Sequence, residues 1–276
     1  MAGIGIRLNK IYGKNTLTTH IIGASYSTLF TIAPMLVVIG AIIVMQSLLK
    51  FSAVGFADRE LFSATVLYIF IFALLTTAPF NSVLSRYLSD VIYDETYEDI
   101  LPCYYIGMMM NVILSAGVGI PFCLREYFVG KVDAVYVVTG YSGYMALVLV
   151  FYSMLYLSIC KDYIRMSAFF SMGMVCTVLL SLLFCWRLHW SVTYSMLCAL
   201  AVGLWMIAAL SLSLLRSYFR ENSGNYSKVL RYFRMYWQLI VTNFIYTLGL
   251  YIHNFVFWTT DLRIVVANSF ICATTY

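Results

Sequence analysis

Asn243, Thr247, Leu250 and Asn254 recur at i, i+4, i+7 and i+11, and Thr242, Tyr246, Gly249 and His253 form the row beside them. On a helix these positions make a polar stripe, against a back of Val241, Ile245, Leu248, Ile252 and Phe255. Inside a membrane such a stripe should turn toward other helices or a water-filled cavity. His253 is the one ionisable side chain well inside an apolar run, where a titratable group is a functional candidate by default. It can titrate near neutral pH, gate a cavity or hold a hydroxyl-rich substrate. It can equally be a histidine hydrogen-bonded between packed helices.

A second set is charged. Arg86, Asp90, Asp94 and Glu98 follow at steps of four, so a helix would place all four on one face. Arg86–Asp90 would then gain roughly 0.2–0.5 kcal/mol, while Asp90–Asp94 and Asp94–Glu98 would lose similar amounts. An uncompensated acidic row suits a cationic partner or a bound ion; a solvated loop is the plain alternative. These four are the candidate cytoplasmic docking residues. The basic stretch Arg216–Arg234 would sit on anionic headgroups.

Two prolines complete the set. Ser25, Ser27, Thr28 and Thr31 precede Pro34, and Thr76, Thr77, Pro79, Asn81 and Ser82 repeat the device. Proline within a helix removes a backbone hydrogen bond and kinks the chain, and hydroxyls can satisfy the freed carbonyls. Kinked helices with polar halves fit alternating access around a central cavity, and also occur as static packing features. The candidate cavity residues are therefore Tyr26, Thr31, Pro34, Asn81, Asn243, Thr247, His253 and Asn254.

The elements that carry these residues are membrane spans. Seven runs hold no formal charge: Ile21–Leu49, Leu61–Ser85, Ile100–Leu124, Ala134–Cys160, Met166–Trp186, Trp190–Leu215 and Met235–Thr260. Each exceeds the about 18 apolar residues that make a candidate span. Only 11% of residues are charged, 62% are hydrophobic and the mean hydropathy is +0.87, far from the globular average. The fold class expected is all-α, a polytopic transmembrane bundle. No connection is long enough for a catalytic domain, and the scattered cations give no nucleic-acid surface. The first run reads as a retained signal anchor. The 13 residues Ile264–Tyr276 read as the start of an eighth helix, so the chain looks cut short.

Basic residues set orientation. One set of joints holds Arg7, Lys10, Lys14, Arg86, Lys161, Arg165, Arg216, Arg220, Lys228, Arg231 and Arg234; the other holds only Lys50, Arg59, Arg125, Lys131, Arg187 and Arg263. The N-terminus is expected in the cytoplasm. A rhodopsin-like receptor has the reverse orientation, and the seventh run carries no lysine for a Schiff base. Trp186, Trp190 and Trp258 stand where interfacial anchors would.

Seven cysteines lie within or at the edges of the runs, without C-x-x-C spacing, and read as packing residues. Of 23 tyrosines, Tyr136, Tyr141, Tyr144, Tyr152 and Tyr156 crowd one span and its entrance. They suit sugar stacking in a conduit, or belts and packing. There is no metal-ligand set, Walker loop, nucleophile elbow or catalytic triad; neither metal nor cofactor is expected. A membrane-embedded acyl- or glycosyltransferase would need an acidic or histidine constellation at an interface, and only Asp90–Asp99 comes close.

Three stretches carry a family resemblance: the opening Met-Ala-Gly-Ile-Gly-Ile-Arg-Leu-Asn-Lys with the Tyr26 segment leading to Pro34, the motif Ser85-Arg86-Tyr87-Leu88-Ser89-Asp90, and Tyr246–Trp258. They resemble the Pel exopolysaccharide transporter family (PelG). The resemblance implies a flippase-like fold with two six-span lobes around a central cavity. Residues 1–215 would be the first lobe, 216–234 a cytoplasmic bridge and 235–276 the opening of the second lobe. It further implies the cytoplasmic (inner) membrane, a cytoplasmic glycosyltransferase as partner, and a polymer rich in amino sugars. The chain departs from the family at Ala33 and Met35, where Gly and Trp are expected, and at His253-Asn254, where a charged pair is expected. Cavity chemistry is therefore not carried over. A lipid-linked oligosaccharide flippase or small-molecule exporter of the same fold is the alternative.

Overall fold

The computed structural model describes residues 17–159, 163–260, 263–266 and 270–273. Helices form where charge is absent. They are α1 Leu17–Leu48, α2 Phe56–Tyr93, α3 Ile100–Phe128, α4 Ala134–Ile159, α5 Tyr163–Arg187, α6 Val192–Tyr218, the short α7 Tyr226–Met235 and α8 Trp237–Thr259. Among the described residues six helices, α2 to α6 and α8, are long and apolar enough to cross a membrane; α1 adds the described apolar stretch Ile32–Leu48. Side chains of α1 are described from Ile32 onward, so the expectations for Tyr26 and Thr31 lie outside them.

α6 lies between α4 and α5, α1 packs on α5, and α2 and α3 pack on α4 and on each other. Close helix approach needs small residues. A Cβ on Gly203 would strike Thr177 and the Gly173 carbonyl, and one on Gly173 would strike Ile207, so this pair sets the α5–α6 crossing. α8 stands on the far side of α2.

Two expectations change. α2 has 38 residues, a length of about 57 Å, well beyond a hydrocarbon core of about 30 Å. Its last turns, with Arg86 and Asp90, therefore project past the core. The helix ends at Tyr93, Glu95 adopts a left-handed φ of 57°, and Glu98 lies in the 3-10 turn Tyr97–Asp99. The row Arg86–Asp90–Asp94–Glu98 thus does not form one face: only Arg86 and Asp90 share a continuous helix.

The second change is at the end. In place of an eighth helix, strands β1 Arg263–Val266 and β2 Phe270–Ala273 pair antiparallel, with Arg263 opposite Ala273. The β-branched run Ile264-Val265-Val266 favours a pleated backbone over a helical one. The hairpin rests against α2 and α8.

Candidate functional site

The expected stripe of α8 divides in the structure. Asn243 donates to the Ala78 carbonyl of α2, one residue before Pro79, and Thr247 is buried. Leu248, Tyr251 and Phe255 pack against the bundle. Trp258 lies 4.6 Å from the Tyr68 ring and Phe255 6.2 Å from Phe72. Trp258 is thus a packing residue, not an interfacial anchor, whereas Trp186 and Trp190 stay exposed. Asn254 donates to the Tyr251 carbonyl and lies 3.0 Å from His253 Nε2. The row Thr242, Tyr246, Gly249 and His253 faces away from α2 and is exposed. The apolar residues Val241, Ile245, Ile252 and Val256 are also exposed, so α8 meets the bundle along one edge, between its polar and apolar sides.

On α2, Thr76 and Thr77 bond back to the Phe72 and Ala73 carbonyls, not to the Leu75 carbonyl that Pro79 frees. Asn81 Oδ1 is buried without a hydrogen-bond partner, as are Asn111 Oδ1 and Ser115 Oγ of α3. Tyr144 of α4 donates to Thr76 Oγ1 and to the Ser115 carbonyl at 3.3 Å each. Unsatisfied buried oxygens between apolar helices are places where ordered water resides. Pro34 is buried within α1, which packs on α5 and not on α8. Asn81 thus lies one helical turn beyond Ala78, the residue that Asn243 reaches, and Pro34 lies elsewhere.

Most of the singled-out tyrosines are core. Tyr152 donates to the Tyr104 carbonyl at 2.6 Å, its Oη lies 2.9 Å from Tyr156 Oη, and Cys103 lies 3.4 Å from Tyr156 Oη. All four side chains are buried, so Tyr152 and Tyr156 stack on no ligand. Tyr136, Tyr141 and Tyr144 line a cavity of about 230 Å³ between α2, α3 and α4, with Tyr68, Phe72 and Glu126. Gly119 makes room for the Tyr141 and Tyr144 rings, each 2.9 Å from where its Cβ would stand.

A charged latch that residue spacing did not reveal closes the other end of α2. Asp99 is 6% exposed. Its carboxylate accepts from Lys228 Nζ at 2.8 Å and from Ser223 Oγ at 2.5 Å. Ser223 N–H donates to the Glu98 carbonyl at 3.1 Å. Asp90 accepts from Tyr232 Oη at 2.9 Å and lies 3.9 Å from Arg86, whose guanidinium covers the Tyr236 ring at 5.5 Å. Partial burial and the bond to Asp90 push the Tyr232 phenol above its ordinary range. Val229 and Phe233 are buried beneath α7. The acidic row expected to await a cationic partner thus meets the chain's own basic segment, through Arg86 and Asp90 but with Asp99 as its centre. Of the four candidates, Asp94 and Glu98 make no side-chain hydrogen bond or ion pair in it among the described residues, though the Asp94 charge also bears on Tyr232. Among the described residues no cluster of His, Cys, Asp or Glu could hold a metal ion.

α8 is an apolar helix with one polar row, set against the bundle along a single edge, and the family comparison gives the class. The family described as "PelG: Putative exopolysaccharide Exporter (EPS-E)" matches residues 1–276. The chain belongs to the PelG family. No curated protein and no solved structure matches it. As a PelG-family chain with six helices long and apolar enough to cross a bilayer among its described residues, it is a multi-pass membrane protein of an exporter family. An exporter family is not an enzyme class.

Proposed function

We propose that this PelG-family chain passes an exopolysaccharide rich in amino sugars across the cytoplasmic membrane, with its N-terminus in the cytoplasm. The bundle α1–α6 acts as one lobe and α8 opens the second, with 216–234 as the bridge between them. The row Thr242, Tyr246, Gly249 and His253, turned away from α2, lines the polar path, and α8 pivots on its opposite edge, where Asn243, Thr247 and Asn254 lie, with Asn81 on α2. A cytoplasmic glycosyltransferase delivers the polymer near the latch.

The observation that carries this reading is the exposed polar row on an otherwise apolar spanning helix. Facing lipid, hydroxyl and imidazole groups would be poorly solvated; facing a wet conduit they can bond the hydroxyls of a polymer. Replacing His253 by Ala in cells that depend on this protein tests it. Polymer export should fall severalfold while membrane abundance stays constant; unchanged export would remove His253 from the path. A second reading, export of a small molecule or a lipid-linked oligosaccharide, draws on the aromatic cavity beside Glu126. Co-purification separates them: a tightly bound glycosyltransferase supports polymer export, and ion-coupled efflux by the purified chain supports the alternative.

A further inference from the structure

α7 has two faces of different character. Inward, Val229 and Phe233 are buried, Lys228 holds Asp99 and Tyr232 holds Asp90. Outward stand Arg231 and Arg234, both exposed, with Leu230 at 48% and Met235 at 60% exposure; Trp237, 57% exposed, opens α8 two residues on. Arg220 is exposed on the preceding segment. No acidic residue lies between Glu221 and Asp261. Neither Arg231 nor Arg234 has an ion-pair partner among the described residues.

The position of this helix restricts what can cover it. α6 ends at Tyr218 and α8 begins at Trp237, so α7 joins two helices that traverse the bilayer and must lie near its surface. A helix there, with arginines interleaved among apolar side chains and a tryptophan just beyond it at the start of α8, matches an interfacial helix that inserts its apolar groups between acyl chains. Arginine pairs bidentately with phosphate oxygens, and its stem reaches the headgroups while the apolar groups sit deeper. A soluble acidic protein would satisfy the charges and leave Leu230, Met235 and Trp237 facing water.

We propose that the outward face of α7, together with Trp237 at the start of α8, is a binding surface for anionic phospholipid, with Arg231 and Arg234 on the headgroup phosphates and Leu230, Met235 and Trp237 among the upper acyl carbons. The latch serves this surface. By fixing Lys228 and Tyr232 inward, it holds the two arginines outward. The inference stands independently of the transported substrate.

The test is native mass spectrometry of the full chain in detergent, titrated with equal amounts of phosphatidylglycerol and phosphatidylcholine. Phosphatidylglycerol should be retained preferentially. R231Q/R234Q should lower its apparent affinity by about fivefold for each charge removed, while phosphatidylcholine binding stays constant. R231K/R234K, which keeps both charges, should retain most of the preference, and R187Q on α5 should change nothing. Glycerol phosphate should not compete, because a headgroup without acyl chains makes only half of the contacts. Equal retention of the two lipids, or an undiminished preference in R231Q/R234Q, would overturn the proposal. So would competition by glycerol phosphate, which points to a phosphate site, or loss of the preference in favour of an acidic protein partner.

Discussion

α6 and α8 are alike in sequence and opposite in circumstance. Both are apolar, uninterrupted by formal charge from Val192 to Leu215 and from Met235 to Thr260, and both are long enough to span a bilayer. α6 is gripped by α4 and α5, with glycine at its closest crossing; α8 touches α2 among the long helices and is exposed on most of its surface. Both are apolar enough to count as spans, α6 more so than α8, and apolarity alone does not name the neighbour, because lipid and adjoining helices are equally apolar. What separates the two is the chemistry of contact. α6 uses small residues that admit another backbone, whereas α8 uses an amide donor, a buried threonine and two aromatic rings along one edge. The first contact resists motion and the second can be remade.

Substitution at matched glycines should break this comparison most sharply. Gly203→Val drives methyl groups into Thr177 and the Gly173 carbonyl, and should destabilise the detergent-solubilised protein by about 3 kcal/mol, the upper range for overpacking. Gly249→Val on α8 meets nothing within 4 Å and should leave the thermal midpoint nearly unchanged. Comparable losses from both would mean that α8 is as tightly packed as α6.

The latch gives the next effect. Lys228→Met removes the charge beside a carboxylate that is 6% exposed, and a buried group deprived of its partner costs about 1–3 kcal/mol. Freed from Asp99, α7 should also gain amide hydrogen exchange over Tyr226–Met235. Unchanged exchange there would show that Val229 and Phe233 alone hold the helix. Tyr152→Phe deletes two buried hydrogen bonds in the first bundle, and a thermal shift equivalent to about 1 kcal/mol is expected without loss of export.

Asn243→Ala should move stability least, by under about 1 kcal/mol, since it removes a single contact to α2. Its effect should appear in transport rate, because the bond it removes lies at the moving edge. A large stability loss with normal transport would reverse that assignment.

The spans were legible because lipid permits no charged face, and a missing charge can be counted. Residues far apart in sequence were harder to place. The stripe on α8 announced Asn243 and Thr247, but nothing in its period told which of its two rows meets α2. Asp99 and Lys228 are separated by 129 positions, and an ion pair at that distance leaves no spacing to read. The spacing of Arg86 and Asp90 is readable because they share a helix, whereas the left-handed turn at Glu95 breaks the step of four before Glu98. Tyr152 and Tyr156 suited either sugar stacking or packing, and their bonds to Tyr104 and each other favour packing. Residue type alone does not separate a stacking ring from a core ring.

Thiol accessibility along α8 tests the central claim most directly. In a cysteine-free background in native membranes, single cysteines at Thr242, Tyr246, Gly249 and His253 would be compared with cysteines at Ile245, Ile252 and Val256, using a charged, membrane-impermeant reagent. If α8 borders a wet conduit, the first row reacts readily and the second stays protected by lipid. Equal protection of both rows, or reaction confined to Ile245, Ile252 and Val256, would contradict a conduit along this helix.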